Sequence, residues 1–153
     1  MKLHRLLGAI VIGMIAWSAT VKAEDPLKVG FVYVSPIGDA GWTYMHDRAR
    51  RIVDGEFGDR VETSYVEKVS EGSDSQRVIR KLSARGHDLI FTTSFGYMNP
   101  TLRVAKQFPD VRYEHATGYK TAENMGNYNA RMYQGRYLAG MIAGAMSESD
   151  TLG

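Results

Sequence analysis

From Leu27 onward, short β-prone apolar runs alternate with stretches whose apolar residues recur at helical spacing. Lys28–Val34 (KVGFVYV) is apolar nearly throughout, as in a parallel strand buried on both faces. A Pro/Gly-rich loop, Ser35–Gly41 (SPIGDAG), follows. Trp42, Met45, Ala49, Ile52 and Val53 then share one face of a predicted helix that Gly55 and Gly58 end. Val61–Val66 predicts a second strand. Ser73-Asp74-Ser75-Gln76 has the S-x-x-Q form of a capping box, ahead of a helix with Val78, Ile79 and Leu82 on one face and Gly86 at its end. Asp88–Thr93 (DLIFTT) predicts a third strand. Asn99-Pro100 has the form of an N-cap followed by Pro at the first helical position; Leu102, Ala105 and Phe108 give that helix its face and Pro109 stops it. Val111–His115 and Met125–Asn129 predict two more strands, and Arg131–Ser147 a last helix.

Strands alternating with helices through short loops predict an α/β fold, a doubly wound parallel sheet flanked by helices. Ligands of such sheets bind beyond the carboxyl ends of the strands. That singles out two loops, Ser35–Trp42 and Ser94–Met98. The last helix carries Gly140 and Gly144 four apart, with Ala139, Ala143 and Ala145 beside them. Small residues at this spacing allow close backbone approach, so tight packing on the sheet is expected, with a subunit contact as the alternative. Ser147–Asp150 reads as a polar turn and Thr151–Gly153 resembles the start of another strand, so the chain is expected to be a fragment cut as a further element begins.

The amino terminus follows another pattern. Lys2 and Arg5 precede an almost wholly apolar run, Leu6–Trp17, and Val21-Lys22-Ala23 ends it in A-x-A-like fashion. This predicts a secretory signal peptide over residues 1–23. The run is about a dozen residues, short for a bilayer core of roughly 30 Å. The mature chain, 24–153, is expected in a bacterial periplasm. It lacks a Cys at the cleavage site and so is not expected to be a lipoprotein.

Charge has to be corrected for this leader. Its three basic residues account for part of the 19 Lys and Arg, leaving 16 against 17 Asp and Glu. A nucleic-acid partner gains no support from that balance. The chain has no cysteine, which excludes disulfide scaffolds, thiolate metal sites and cysteine nucleophiles. There is no P-loop, no G-x-G-x-x-G after the first strand, no H-E-x-x-H and no G-x-S-x-G. The histidines (His4, His46, His87, His115) show no metal-ligand spacing. Neither an enzyme nor a cofactor or metal is expected.

The informative chemistry lies in the two loops. Asp39 can accept ligand N–H or O–H groups, and the Trp42 indole offers a flat face for a base or a sugar; equally, Asp39 can cap the following helix while Trp42 plugs the core. Thr43 and Tyr44 add hydroxyls at the helix start. Ser94, Phe95, Gly96 and Tyr97 form the second loop, where Gly96 allows close backbone approach and the aromatics can line a cleft or pack inward.

The opening KVGFVYV, the loop SPIGDAGWTY, the segment DLIFTTSFGYMNP and the late YQGRYLAGMIAG together resemble the basic membrane protein family, substrate-binding proteins of bacterial ABC transporters. The most specific pieces are GDAGWTY and the run Gln134–Gly140. The resemblance implies the first lobe of a type I periplasmic-binding-protein fold, with a second lobe that this chain does not contain. It also implies a receptor for a purine nucleoside or related purine, delivered to an inner-membrane permease. Asp39 matches the aspartate of the family's first loop and Trp42 the aromatic beside it. Many members carry Phe-Asn where this chain has Trp42-Thr43. Many also carry a second aspartate where this chain reads Tyr97-Met98-Asn99, so a base rather than a nucleoside is one option. A sugar receptor of similar fold is the alternative, and a signalling role fits the same chemistry.

Overall fold

A computed structural model describes residues 25–149 and 151; the expected signal peptide lies outside them. Five strands form one sheet: β1 (Leu27–Val32), β2 (Val61–Val66), β3 (Leu89–Thr92), β4 (Arg112–Ala116) and β5 (Met125–Tyr128). The order is β2-β1-β3-β4-β5, and every pair is parallel. Four helices alternate with them: α1 (Trp42–Phe57), α2 (Ser73–Ala84), α3 (Met98–Ala105) and α4 (Met132–Met146). This is the expected doubly wound α/β sheet. Its order reverses between β1 and β3, which opens a crevice beyond their carboxyl ends.

The two faces of the sheet are built differently. Val32, Ile90, Tyr113 and Met125 pack against Val78, Ile79 and Leu82 of α2 and Val104 and Ala105 of α3, all buried. Two-residue alternation sends Val29, Phe31, Leu89 and Phe91 to the other face, where the Phe31 and Phe91 rings stack at 4.8 Å. There α1 lies along β2, and an apolar groove of about 350 Å³ stays open beside it, bordered by Phe91 and Tyr128.

α1 docks through polar groups. Its two buried residues are Thr43 and Asp47. The Asp47 carboxylate accepts Arg50 Nε at 2.8 Å and Arg51 Nε at 2.9 Å, with the Tyr33 hydroxyl at 3.5 Å. Arg50 also reaches Asp54 at 2.8 Å and Thr63 of β2 at 2.9 Å, and lies over the Tyr65 ring. The apolar stripe that identified this helix faces elsewhere: Met45 and Ile52 are exposed, and Ala49 and Val53 line the open groove.

Three further expectations are corrected. Gly72, at φ 89°, is the N-cap of α2, and no side chain caps it. The Ser75 hydroxyl donates to the Gly72 carbonyl and the Gln76 side chain accepts from Arg103, so the capping box does not form. Asn99 lies inside α3, because a 3₁₀ turn at Phe95–Tyr97 starts the helical path earlier; its Oδ1 accepts from Lys120 Nζ at 2.8 Å. And α4 does not pack on the sheet: none of its residues is buried, and a Cβ added at Gly135, Gly140 or Gly144 would meet nothing. With no partner surface beside it, small-residue spacing alone does not bring the helix down.

Candidate functional site

The loop after β1 carries Gly38 at φ 60° and Gly41 at φ 93°, a left-handed backbone that glycine adopts without strain. These turns leave Asp39 exposed and place Trp42 at the first position of α1. Gly41 is the N-cap and no side chain caps it, so Asp39 is not spent on the helix. Nor is Trp42 a core plug, since it is 37% exposed. Its indole N–H donates to the Thr93 carbonyl at 2.5 Å, which ties the first loop to the end of β3. His46, one turn on, lies 4.6 Å from the indole, and its Nδ1 is 2.9 Å from the Trp42 carbonyl oxygen.

The other residues singled out in the sequence divide by direction. Thr43 is buried, and its hydroxyl meets Ser35 Oγ at 2.7 Å, pinning the start of the loop to the helix. Tyr44 is half-buried. Tyr97 is fully buried and its hydroxyl donates to the Val69 carbonyl at 2.5 Å; burial, more than the nearby Glu71 carboxylate, pushes its ionisation up. Thr43 and Tyr97 therefore brace the site from inside. Phe95 is 56% exposed and leans toward Tyr119, ring centroids 6.4 Å apart. Ser94 and Gly96 both donate to Glu71, the hydroxyl at 2.6 Å and the backbone N–H at 3.1 Å.

Trp42 also borders a groove of about 610 Å³ on the α1 side of the strand ends, within the usual size of small-molecule sites. Met45, His46, Thr117, Tyr128 and Asn129 line it with Trp42. Burial, then the Glu114 carboxylate, raises the Tyr128 phenol well above its ordinary value, so it is a neutral hydrogen-bonding group at neutral pH. Among the described residues, no three His, Asp or Glu side chains come together as a metal-ligating group. The groove presents a flat aromatic face, apolar walls and a few polar groups at its rim.

Sequence reasoning missed Glu71, Thr117 and Asn129. They sit on the loops after β2, β4 and β5, and in a parallel sheet every such loop opens on the same edge. Extending the strand-end rule to all five strands would have found them.

The profile of the Bmp family, PnrA-like ABC transporter substrate-binding proteins, matches residues 27–153. The chain belongs to that family. It is 58% identical over 131 residues to a purine-binding protein of Brucella abortus (strain 2308), covering 86% of this chain and 37% of that one. It is 46% identical over 129 residues to a Haloferax volcanii protein named for glucose binding in an ABC transporter, covering 84% of this chain and 32% of that one. The chain thus spans about a third of the length of these relatives. Among solved structures, a solute-binding protein of an ABC transporter system from Conexibacter woesei superposes with a TM-score of 0.68 at 23% identity, over 77% of this chain and 40% of that one. One from Aeropyrum pernix gives 0.67 at 24% identity, over 77% and 32%. These two likenesses show the fold, that of ABC solute-binding proteins. The family is one of solute receptors, and no helix among the described residues is long and apolar enough to cross a membrane.

Proposed function

We propose that this chain is the first lobe of an extracytoplasmic receptor that captures a purine, as base or nucleoside, and hands it to an ABC permease. The observation that carries the reading is Trp42, held at the strand-order reversal by its bond to Thr93 with its ring bordering an apolar groove. A rigid indole beside apolar walls suits a flat heterocycle, and Asp39, exposed and uncommitted to the helix, suits its N–H groups. The likeness to a protein named for purine binding supports the same class. A monosaccharide is the second reading, favoured by the relative named for glucose binding and by the same Trp–Asp pairing. Ser94 and Phe95 complete the site, with Thr43, Gly96 and Tyr97 beneath it.

The share of the relatives that is covered, and the exposed apolar residues Leu138, Met141 and Ile142 of α4, support a second lobe that packs on α4 and closes over the ligand. Export through cleavage after Ala23 completes the proposal, and amino-terminal sequencing of the secreted protein checks it. Trp42 is the single tryptophan of residues 24–153, so its emission tests the ligand directly. Saturable quenching by adenine, adenosine or inosine and not by monosaccharides is expected. A response to sugars alone overturns the purine reading.

A further inference from the structure

Resting on that reading, we infer that Glu71 is a second carboxylate acceptor of the cleft beside Asp39, and that it selects a purine edge bearing N–H donors, as in a 6-aminopurine. Glu71 belongs to the loop after β2, yet its carboxylate reaches across to the loop after β3. Ser94 Oγ–H and Gly96 N–H both donate to the same oxygen, Oε1, at 2.6 and 3.1 Å. The second oxygen, Oε2, is left outside both bonds.

Glycine at 96 makes this possible. A Cβ there would lie 2.1 Å from the Glu71 carboxyl carbon, so the space that a side chain would take is filled by the carboxylate. Close approach to the Gly96 backbone is thus made first by Glu71.

Charge points the same way. Among the described residues Glu71 has no ion-pair partner, because Lys120 is turned to Asn99 and Arg77 to Asp74. The ion is exposed, held in place and not neutralised. Two charge-assisted bonds fix its orientation before any ligand arrives, which reduces the ordering cost of binding. It also sits beside the site already described: Thr93, which holds Trp42, immediately precedes Ser94, which holds Glu71. A flat ligand on Trp42 must extend over the end of β3, past the groove that Trp42 borders, to bring its edge to Oε2. An ionised carboxylate only accepts hydrogen bonds, so it favours amino and ring N–H groups over a carbonyl.

The test compares the full chain with Glu71→Gln by calorimetric titration of adenine, unsubstituted purine and glucose, after thermal melts confirm folding. Glutamine can keep its oxygen on Ser94 and Gly96 but presents an amide donor where Oε2 was. Adenine affinity is expected to fall tenfold or more, while unsubstituted purine, which has no donor on its six-membered-ring edge, is held equally or more tightly. Glu71→Asp, which keeps the charge but shortens its reach, is the second variant and should also lose adenine affinity. Equal loss of both purines in Glu71→Gln would make Glu71 a mere tie between loops and overturn the inference, as would no loss of either. If the wild-type chain takes glucose and no purine, the purine reading and the 6-aminopurine preference fall together; a tenfold loss of glucose in Glu71→Gln then retains Glu71 as an acceptor, and unchanged affinity removes that too. Binding of none of the three by the wild-type chain overturns both the reading and the inference.

Discussion

Replacing Asp47 with alanine tests whether α1 is held by charge rather than by apolar packing. Asp47 is 2% exposed and takes both Arg50 and Arg51, while the Arg50 side chain is only 13% exposed. Removing one partner of a buried pair costs about 3–5 kcal/mol, because the other charge is left without compensation. Arg50 keeps Asp54 and Thr63, which places the expected loss near the lower end, about 3 kcal/mol. For a domain of this size, each kcal/mol moves the melting temperature by roughly 3–4 °C, so a fall of about 10 °C is expected. Arg51→Ala is the control. That side chain is 57% exposed and its pair should be worth less than about 1 kcal/mol. Scanning calorimetry and circular-dichroism melts at neutral pH read both variants. Because α1 begins at Trp42, indole emission in Asp47→Ala should also shift to the red as the helix loosens. If the two variants melt within a degree or two of each other, the ionic account of α1 docking is wrong.

Other expectations can be checked separately. Trp42→Ala should weaken a purine by roughly 5- to 150-fold, the range of about 1–3 kcal/mol for stacking a base on an aromatic ring, whereas Trp42→Phe should retain most of the affinity; titration calorimetry separates the two. Gly118→Ala would put a Cβ 2.2 Å from His115 Cδ2 and 2.6 Å from Asn127 Oδ1, so overpacking should lower stability by about 1–3 kcal/mol in a urea titration. Burial holds the His115 imidazole below its ordinary value of 6.5, so the unfolded chain binds the extra proton first as pH falls. The urea midpoint should therefore drop between about pH 7.5 and pH 5.5, and His115→Gln should flatten that slope.

β1 and β3 were legible as short, largely apolar runs bounded by turn residues, and β2 falls where the pattern placed it, at Val61–Val66. The candidate site was partly legible through one topological rule, which put Asp39, Trp42, Ser94 and Phe95 at the strand ends. Periodicity was less informative about docking. It found α1 from Met45, Ala49 and Ile52, but the helix seats itself on Asp47 and Arg50, whose burial depends on each other and on Thr63 and Tyr33 from distant parts of the chain. α4 had the clearest small-residue pattern and buries none of it, because such a pattern describes what a surface can accept and not whether something meets it. The inward turn of Tyr97 was one of two readings of its loop, and that of Thr43 could not be read. Each depends on a partner elsewhere, Ser35 for one and the Val69 carbonyl for the other.

The bond from Trp42 to Thr93 has a thermodynamic consequence. Thr93 is fully buried, and both its N–H and its hydroxyl donate to the Val32 carbonyl, at 3.2 and 2.9 Å. The aromatic platform is thereby coupled to β1 and β3, inner strands of the sheet, and such core strands are among the last elements to open in local unfolding. Ligand resting on it stabilises the whole domain, by about 2.7 kcal/mol at a hundred times its dissociation constant. Melting temperature then serves as a ligand screen. Hydrogen exchange should slow at the Thr93 amide with the cooperative core, rather than only in the Gly38–Gly41 turn.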